Sequence, residues 1–219
     1  FGLPQAGVST THNIVRQLDG FLLLYFFHDA GAVGVYNAAK TLFRVFEVIM
    51  DAVTSLVYPT TVRLVSEQRT MELTALLSKA ISFTLLFSLI VIIILECGVT
   101  NIITLLIPKF VGTALHLNIL ILAGLFMPIS ILGTVFMAYR RTSKLLVITV
   151  VSSVIALCVF LSMGCSRNIV FFSLGVVSYS VSLALLELYF VQSILPFSLS
   201  QLTRAIPDIL VYLKKQIGY

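Results

Sequence analysis

An all-α membrane protein is the fold class this sequence predicts, and three observations carry the prediction. Residues of the set Ala, Val, Ile, Leu, Met, Phe, Trp, Tyr and Cys make up 59% of the 219. Charged residues make up only 11%, and mean hydropathy is +1.08. Soluble domains carry roughly 25% charged residues, and so little polar surface cannot cover so large an apolar share in water. Second, the apolar residues gather in runs of about 20, the length that crosses a hydrocarbon core as a helix. Third, of the 14 Lys and Arg, all but Arg16, Lys40 and Arg44 fall between those runs, and not in one patch. Together these exclude a disordered chain, a soluble enzyme domain and a nucleic-acid module, in spite of a net charge of +5 and a pI near 9.2. The alternating segments of about ten residues that mark a membrane β-barrel are absent.

Six stretches have the required length. The first, about residues 5–27, is apolar chiefly in its second half, GFLLLYFF. The second, about 36–64, is centred on TLFRVFEVIMDAVTSLVYPT. The third, about 76–96, holds the run AISFTLLFSLIVIIIL, and the piece NIITLLIP after it reads as interfacial. The fourth, about 113–138, contains Pro128 between Gly124 and Gly133, which predicts a kink. The fifth covers about 145–164 and the sixth about 169–195. Residues 1–195 are thus expected to form a six-span transmembrane lobe. Residues 196–219 are expected to form a cytoplasmic tail whose IPDILVYLKKQI portion makes a short amphipathic interfacial helix. The chain begins at Phe1 and reads as a piece of a longer polytopic protein.

Orientation follows from the basic residues. Arg63, Arg69 and Lys79 lie between spans two and three, Arg140, Arg141 and Lys144 between spans four and five, and Arg204, Lys214 and Lys215 after span six. The opposite side holds Lys109 and Arg167. The positive-inside rule makes the richer side, and with it the C-terminus, cytoplasmic. Cys97, Cys158 and Cys165 are expected to be buried small hydrophobes, and the scattered His28, His116 and His12 form no metal constellation. His28, beside Asp29 in the first outer loop, and His116, at the start of span four, read as solvated or interfacial. No glycine-rich phosphate loop, HExxH or nucleophile elbow occurs. The expectation is therefore a non-enzyme without a cofactor or metal.

The informative feature is a polar row inside span two. At 100° per residue, Asn37, Lys40, Arg44, Glu47, Asp51, Ser55 and Tyr58 fall in an arc of about 80°, with apolar residues around the rest of the wheel. Charged residues at membrane depth cost roughly 2.5–3.5 kcal/mol each, so they face a partner or water. Arg44 has the spacing to pair with Glu47. The row fits either a self-neutralised ion network or one wall of a hydrated cavity. Its length favours the cavity, to which Arg16 and Asp19 of span one are expected to add. Ser173, Ser180 and Glu187 repeat every seven residues on span six. Glu187 is either a second deep acid or snorkels to the cytoplasmic interface.

The segment QLDGFLLLYFFHDAGAVGVYNAAKTL (Gln17 to Leu42) resembles a recurrent feature of polysaccharide and O-antigen flippases. In those proteins an Asp opens an apolar helix and a Val-Gly-x-Tyr-x-x-Ala element starts the next. Here these are Asp19, Val33, Gly34, Tyr36 and Ala39. LVYPTTVRLVSEQ, LLIPKFVGTALHLNILILAG and FMAYRRTSKL are similar to later stretches of the same family, in the same order. The resemblance implies the multidrug/oligosaccharidyl-lipid/polysaccharide transporter superfamily, in which two six-helix lobes alternate access around a central cavity. This chain is similar to the C-terminal lobe, with an N-terminal lobe as its partner.

The implied function is export of a polyprenyl-linked oligosaccharide across a bacterial or archaeal cytoplasmic membrane, driven by a gradient. A polysaccharide polymerase or glycosyltransferases are further implied partners. Arg44, Lys40 and Arg16 would then bind the pyrophosphate, with Asn37 and Tyr58 also at the substrate and Tyr36 and Phe43 lining its path. Asp51, Glu47 and Asp19 would bind a coupling H⁺ or Na⁺. The alternatives are a drug/cation antiporter of the same superfamily, a membrane-embedded transferase using His28 and Asp29, and a structural membrane subunit.

Overall fold

The computed structural model describes residues 2–106 and 111–197. Among them every regular element is helical, in the order α1 (Gly2–Phe27), α2 (Ala30–Ser66), α3 (Thr70–Leu106), α4 (Val111–Gly124), a 3₁₀ turn (Met127–Leu132), α5 (Gly133–Ala138), α6 (Thr142–Cys165), a second 3₁₀ turn (Val170–Ser173) and α7 (Leu174–Val191). The expected tail helix lies outside the described residues.

Short connections follow from how each helix stops. Gln68, Arg140 and Arg167 have φ of 58°, 56° and 52°. At each, the next residue's N–H reaches back five residues: Arg69 to Leu64 at 3.0 Å, Arg141 to Phe136 at 2.7 Å and Asn168 to Met163 at 3.2 Å. These are Schellman ends in which a residue with a side chain occupies the left-handed position usually given to Gly. His28 (φ 52°) ends α1 in the simpler form, its N–H bonding the Leu24 carbonyl at 2.9 Å. Asp29 then caps α2, accepting from the N–H groups of Gly31 at 2.8 Å and Ala32 at 3.2 Å. The outer loop expected over HDAGAVG thus shrinks to His28 and Asp29, because a good N-cap sits directly after a left-handed stop. NIITLLIP is also no separate interfacial piece as far as Leu106, where α3 ends. Pro128 falls in the first turn of the 3₁₀ segment, and its missing N–H breaks the fourth stretch into α4, the 3₁₀ turn and α5.

Among the described residues, four helical stretches are long and apolar enough to cross a membrane: Thr70–Glu96, Gly112–Ala138, Thr142–Cys165 and Val170–Val191. α1 and α2, of 26 and 37 residues, are long enough but less apolar, because the polar row runs along them. The exterior is hydrophobic: Ile90, Ile93 and Ile94 of α3, Val147 and Val154 of α6, and Leu185 of α7 all face outward. Such a surface in water would drive aggregation, whereas lipid accepts it. Cys158 and Cys165 are exposed for the same reason, which corrects the expectation that they are buried. An apolar side chain in a membrane protein gains nothing from turning inward.

Inside, α6 packs between α1 and α7, while α2 packs on α3 and α4. Thr61, Thr134 and Thr149 are buried and return their hydroxyls to carbonyls three or four residues back, so they sit in the interior without orphaned donors. Small residues set the close approaches. A Cβ on Gly175 of α7 would lie 2.3 Å from the Phe160 ring of α6, and one on Gly164 of α6 would lie 2.4 Å from the Phe26 ring of α1. Phe160 packs against Phe172 with ring centroids 4.9 Å apart, and Phe172 against Tyr36 at 6.2 Å. This aromatic cluster backs the polar site described next.

Candidate functional site

α1 and α2 form an antiparallel hairpin, so the polar residues of one meet those of the other in reverse order. Arg16 and Asp19 share a face of α1 at i, i+3, and Lys40 and Glu47 share a face of α2 at i, i+7. Arg16 pairs with Glu47, and Asp19 with Lys40 at 2.6 Å. The sequence spacing predicts Arg44 with Glu47, but Glu47 is instead taken by Arg16 from the neighbouring helix.

Asp19 is 1% exposed. One carboxylate oxygen accepts from the Gly20 N–H at 2.6 Å and from Lys40 Nζ at 2.7 Å. The other accepts from the Tyr36 hydroxyl at 2.7 Å and from the same Nζ at 2.6 Å. Lys40 also donates to the Arg16 carbonyl. A buried carboxylate is tolerated only with bonding this complete. Asp19 therefore clasps α1 to α2, and this geometry leaves no open ligand position for the coupling ion expected of it.

The two ion pairs form a partition between two spaces. Outside it lies an open vestibule of about 330 Å³. Asn13, Arg16 and Gln17 of α1 line one side, and Asn37, Lys40, Thr41, Arg44 and Glu47 of α2 the other. Inside it lies a smaller cavity of about 80 Å³ that shares Arg16, Lys40 and Glu47 and is closed by His12, Phe43, Phe126, Met127, Tyr179 and Ser180. That volume holds a few waters and no sugar. His12 Nδ1 and the Tyr179 hydroxyl are 3.0 Å apart across it.

Arg44 is exposed in the vestibule and makes no ion pair among the described residues. Arg16 and Lys40 are paired with Glu47 and Asp19, which leaves Arg44 as the vestibule cation without an ion pair among the described residues, with the Asp51 carboxylate further along the same face of α2. The side-chain amides of Asn13, Gln17 and Asn37 add neutral donors, while the Thr41 hydroxyl donates to the Asn37 carbonyl at 2.9 Å. Such a set binds anions, phosphates above all, since guanidinium offers bidentate contacts.

Arg16, Asp19, Asn37, Lys40, Arg44 and Glu47 are thus brought together. Asp51 and Ser55 are exposed further along the same face of α2. Tyr58 is not part of the vestibule; it lines a separate recess with Val62, Met137, Ala138 and Arg140, because α2 continues well past the hairpin contact. His116 is buried, with Nδ1 2.8 Å from Ser173 Oγ and its ring edge-on to Tyr36. This corrects its interfacial placement, since α4 starts at Val111 and carries position 116 into the bundle.

His12, Asn13, Gln17, Thr41 and Tyr179 are site residues with no part in the sequence reading of the site, while Ser180 belongs to the seven-residue repeat of span six. The wheel was applied to span two, and the same wheel on α1 places His12, Arg16 and Asp19 on one face. Among the described residues no three His, Cys, Asp or Glu side chains converge as a metal site would require. No family model, curated protein or solved structure gives a significant match to this chain.

Proposed function

We propose that this chain is one six-span lobe of a two-lobe, gradient-driven transporter. Its cargo is a lipid-linked oligosaccharide, and its anion seat is the vestibule between α1 and α2. One observation carries the reading. Asn13, Gln17, Asn37, Thr41 and Arg44 are exposed along the outside of a bundle whose other faces are apolar. Lipid cannot satisfy these groups, so this side faces water enclosed by a second lobe. An open vestibule whose Arg44 has no ion pair among the described residues suits a pyrophosphate better than a cationic drug. Helices fill all six predicted stretches, which supports six crossings, with the Lys- and Arg-rich turns and the C-terminus cytoplasmic. Glu47 and Asp51, near the partition, are the acids placed to take a coupling ion.

Arg44→Gln in the full-length protein is the test. Loss of one charge-assisted contact to phosphate removes about 1.5–3 kcal/mol, or roughly 10- to 100-fold in transport at limiting substrate. The expected result is that loss at normal membrane abundance. Undiminished glycan export with normal abundance would remove Arg44 from the site.

A further inference from the structure

Glu187 is 2% exposed, and its Oε2 has no hydrogen-bond partner. It does not snorkel: its carboxylate points across the bundle to Gly133, where a Cβ would meet Oε1 at 3.2 Å and a Leu145 methyl at 3.7 Å. The contact exists because the chain bends at Met127–Leu132 and resumes as α5 at a residue without a side chain. The elements packed on α7 offer it no charge. α5 and both 3₁₀ turns carry no ionisable residue; α4 carries only His116, bonded to Ser173 at the opposite end of α7. α6 carries Cys158, Cys165 and Lys144, all exposed. On α7 itself Tyr179 stands two turns away, turned toward His12 of α1 and within the field of Arg16, and Tyr189 is exposed.

We propose that Glu187 is a proton-binding site, occupied by a proton while α7 is closed against the α5 bend and vacated when that contact opens. A lone carboxylate without cation or donor cannot stay ionised in such surroundings. One carboxyl group, with no second acid on α4, α5, α6 or either 3₁₀ turn, suits a proton and not a metal cation. Water would reach the site on opening from the inner cavity. Ser180 on the same face of α7 and Ser130, one turn before Gly133, both line the inner cavity. Ser180 is about 10 Å along the axis from Glu187. On opening, the carboxyl proton passes to water and the carboxylate is hydrated; on closing, the reverse occurs, with no other reactant.

Dicyclohexylcarbodiimide, an apolar reagent specific for protonated carboxyls, tests this on the full-length protein in its membrane. The carboxyl proton moves to a carbodiimide nitrogen as the oxygen bonds carbon, and the adduct rearranges to a stable N-acylurea located by mass spectrometry. The expected result is modification of Glu187 that changes less than twofold between pH 6 and pH 7. A carboxyl on the ordinary scale loses about tenfold over the same unit. The neutral isostere Glu187→Gln supplies a second readout. It should melt at the wild-type temperature at pH 4, where the carboxyl is neutral both folded and unfolded, and lack the fall in melting temperature that wild type shows as pH rises from about 5. Reactivity at Glu187 that drops tenfold per unit like that of an ordinary carboxyl, or identical melting profiles in the two proteins, would overturn the proposal. Neither readout needs a substrate, so both stand apart from the glycan reading.

Discussion

Replacing Asp19 with Asn is expected to destabilise the protein by about 3 kcal/mol. The carboxylate holds Lys40, Tyr36 and the Gly20 amide at 2.6–2.7 Å and is almost wholly buried. Asn keeps the shape and one acceptor but strips Lys40 of its counter-charge. Breaking a buried pair on one side costs about 3–5 kcal/mol, and the low end applies because the Lys40 side chain is 23% exposed. For a chain of this length that is roughly 6–12 °C in melting temperature, read in detergent micelles. Adding Lys40→Met should return part of the loss, since removing both charges leaves no orphan. A change of only a degree or two in the single variant would mean that the clasp does not hold α1 to α2.

Gly175→Ala is the second large effect, at about 2 kcal/mol. The added methyl would lie 2.3 Å from Cε1 of Phe160, a ring that is 2% exposed and packed on Phe172. The ring has nowhere to go without moving Phe172, and Phe172 supports Tyr36 and through it Asp19. Gly164→Ala makes an equally short contact, with Phe26, yet should cost less than half as much. Phe26 is only partly buried, unlike Phe160, and has room to swing outward. Paired melting curves decide the matter: equal losses would show that room for the ring to move is not what sets the cost. Phe160→Leu should relieve Gly175→Ala and leave Gly164→Ala unchanged, because the two contacts share no atoms.

What was legible in the sequence was whatever depends on composition and period. Runs of apolar residues gave helices in every expected stretch, and the wheel on span two placed Asn37, Lys40, Arg44 and Glu47 on a single face. Partners were not legible, because they depend on how helices cross. Arg44 is closer in sequence to Glu47 than Arg16 is, yet the antiparallel hairpin delivers Arg16 to that acid and leaves Arg44 alone. The same limit hid the inner cavity, whose His12 and Tyr179 come from α1 and α7. Hydrophobicity also misled in one direction. Cys158 and Cys165 were expected inside because water drives apolar groups inward, but the apolar exterior removes that drive. His116 was missed for the opposite reason, since a polar ring enters the bundle when Ser173 is there to bond it.

The central claim is that the polar face of α1 and α2 borders water and the remaining faces border lipid. The measurement that tests it most directly is modification of single cysteines by a charged, membrane-impermeant methanethiosulfonate, in a full-length protein freed of Cys97, Cys158 and Cys165. Asn37→Cys and Thr41→Cys should react, whereas Val154→Cys and Leu185→Cys, 54% and 57% exposed at the native residue, should not. If Asn37→Cys and Thr41→Cys stay as silent as the Val154 and Leu185 replacements, while all four react after denaturation, the vestibule is sealed from water and the claim is wrong.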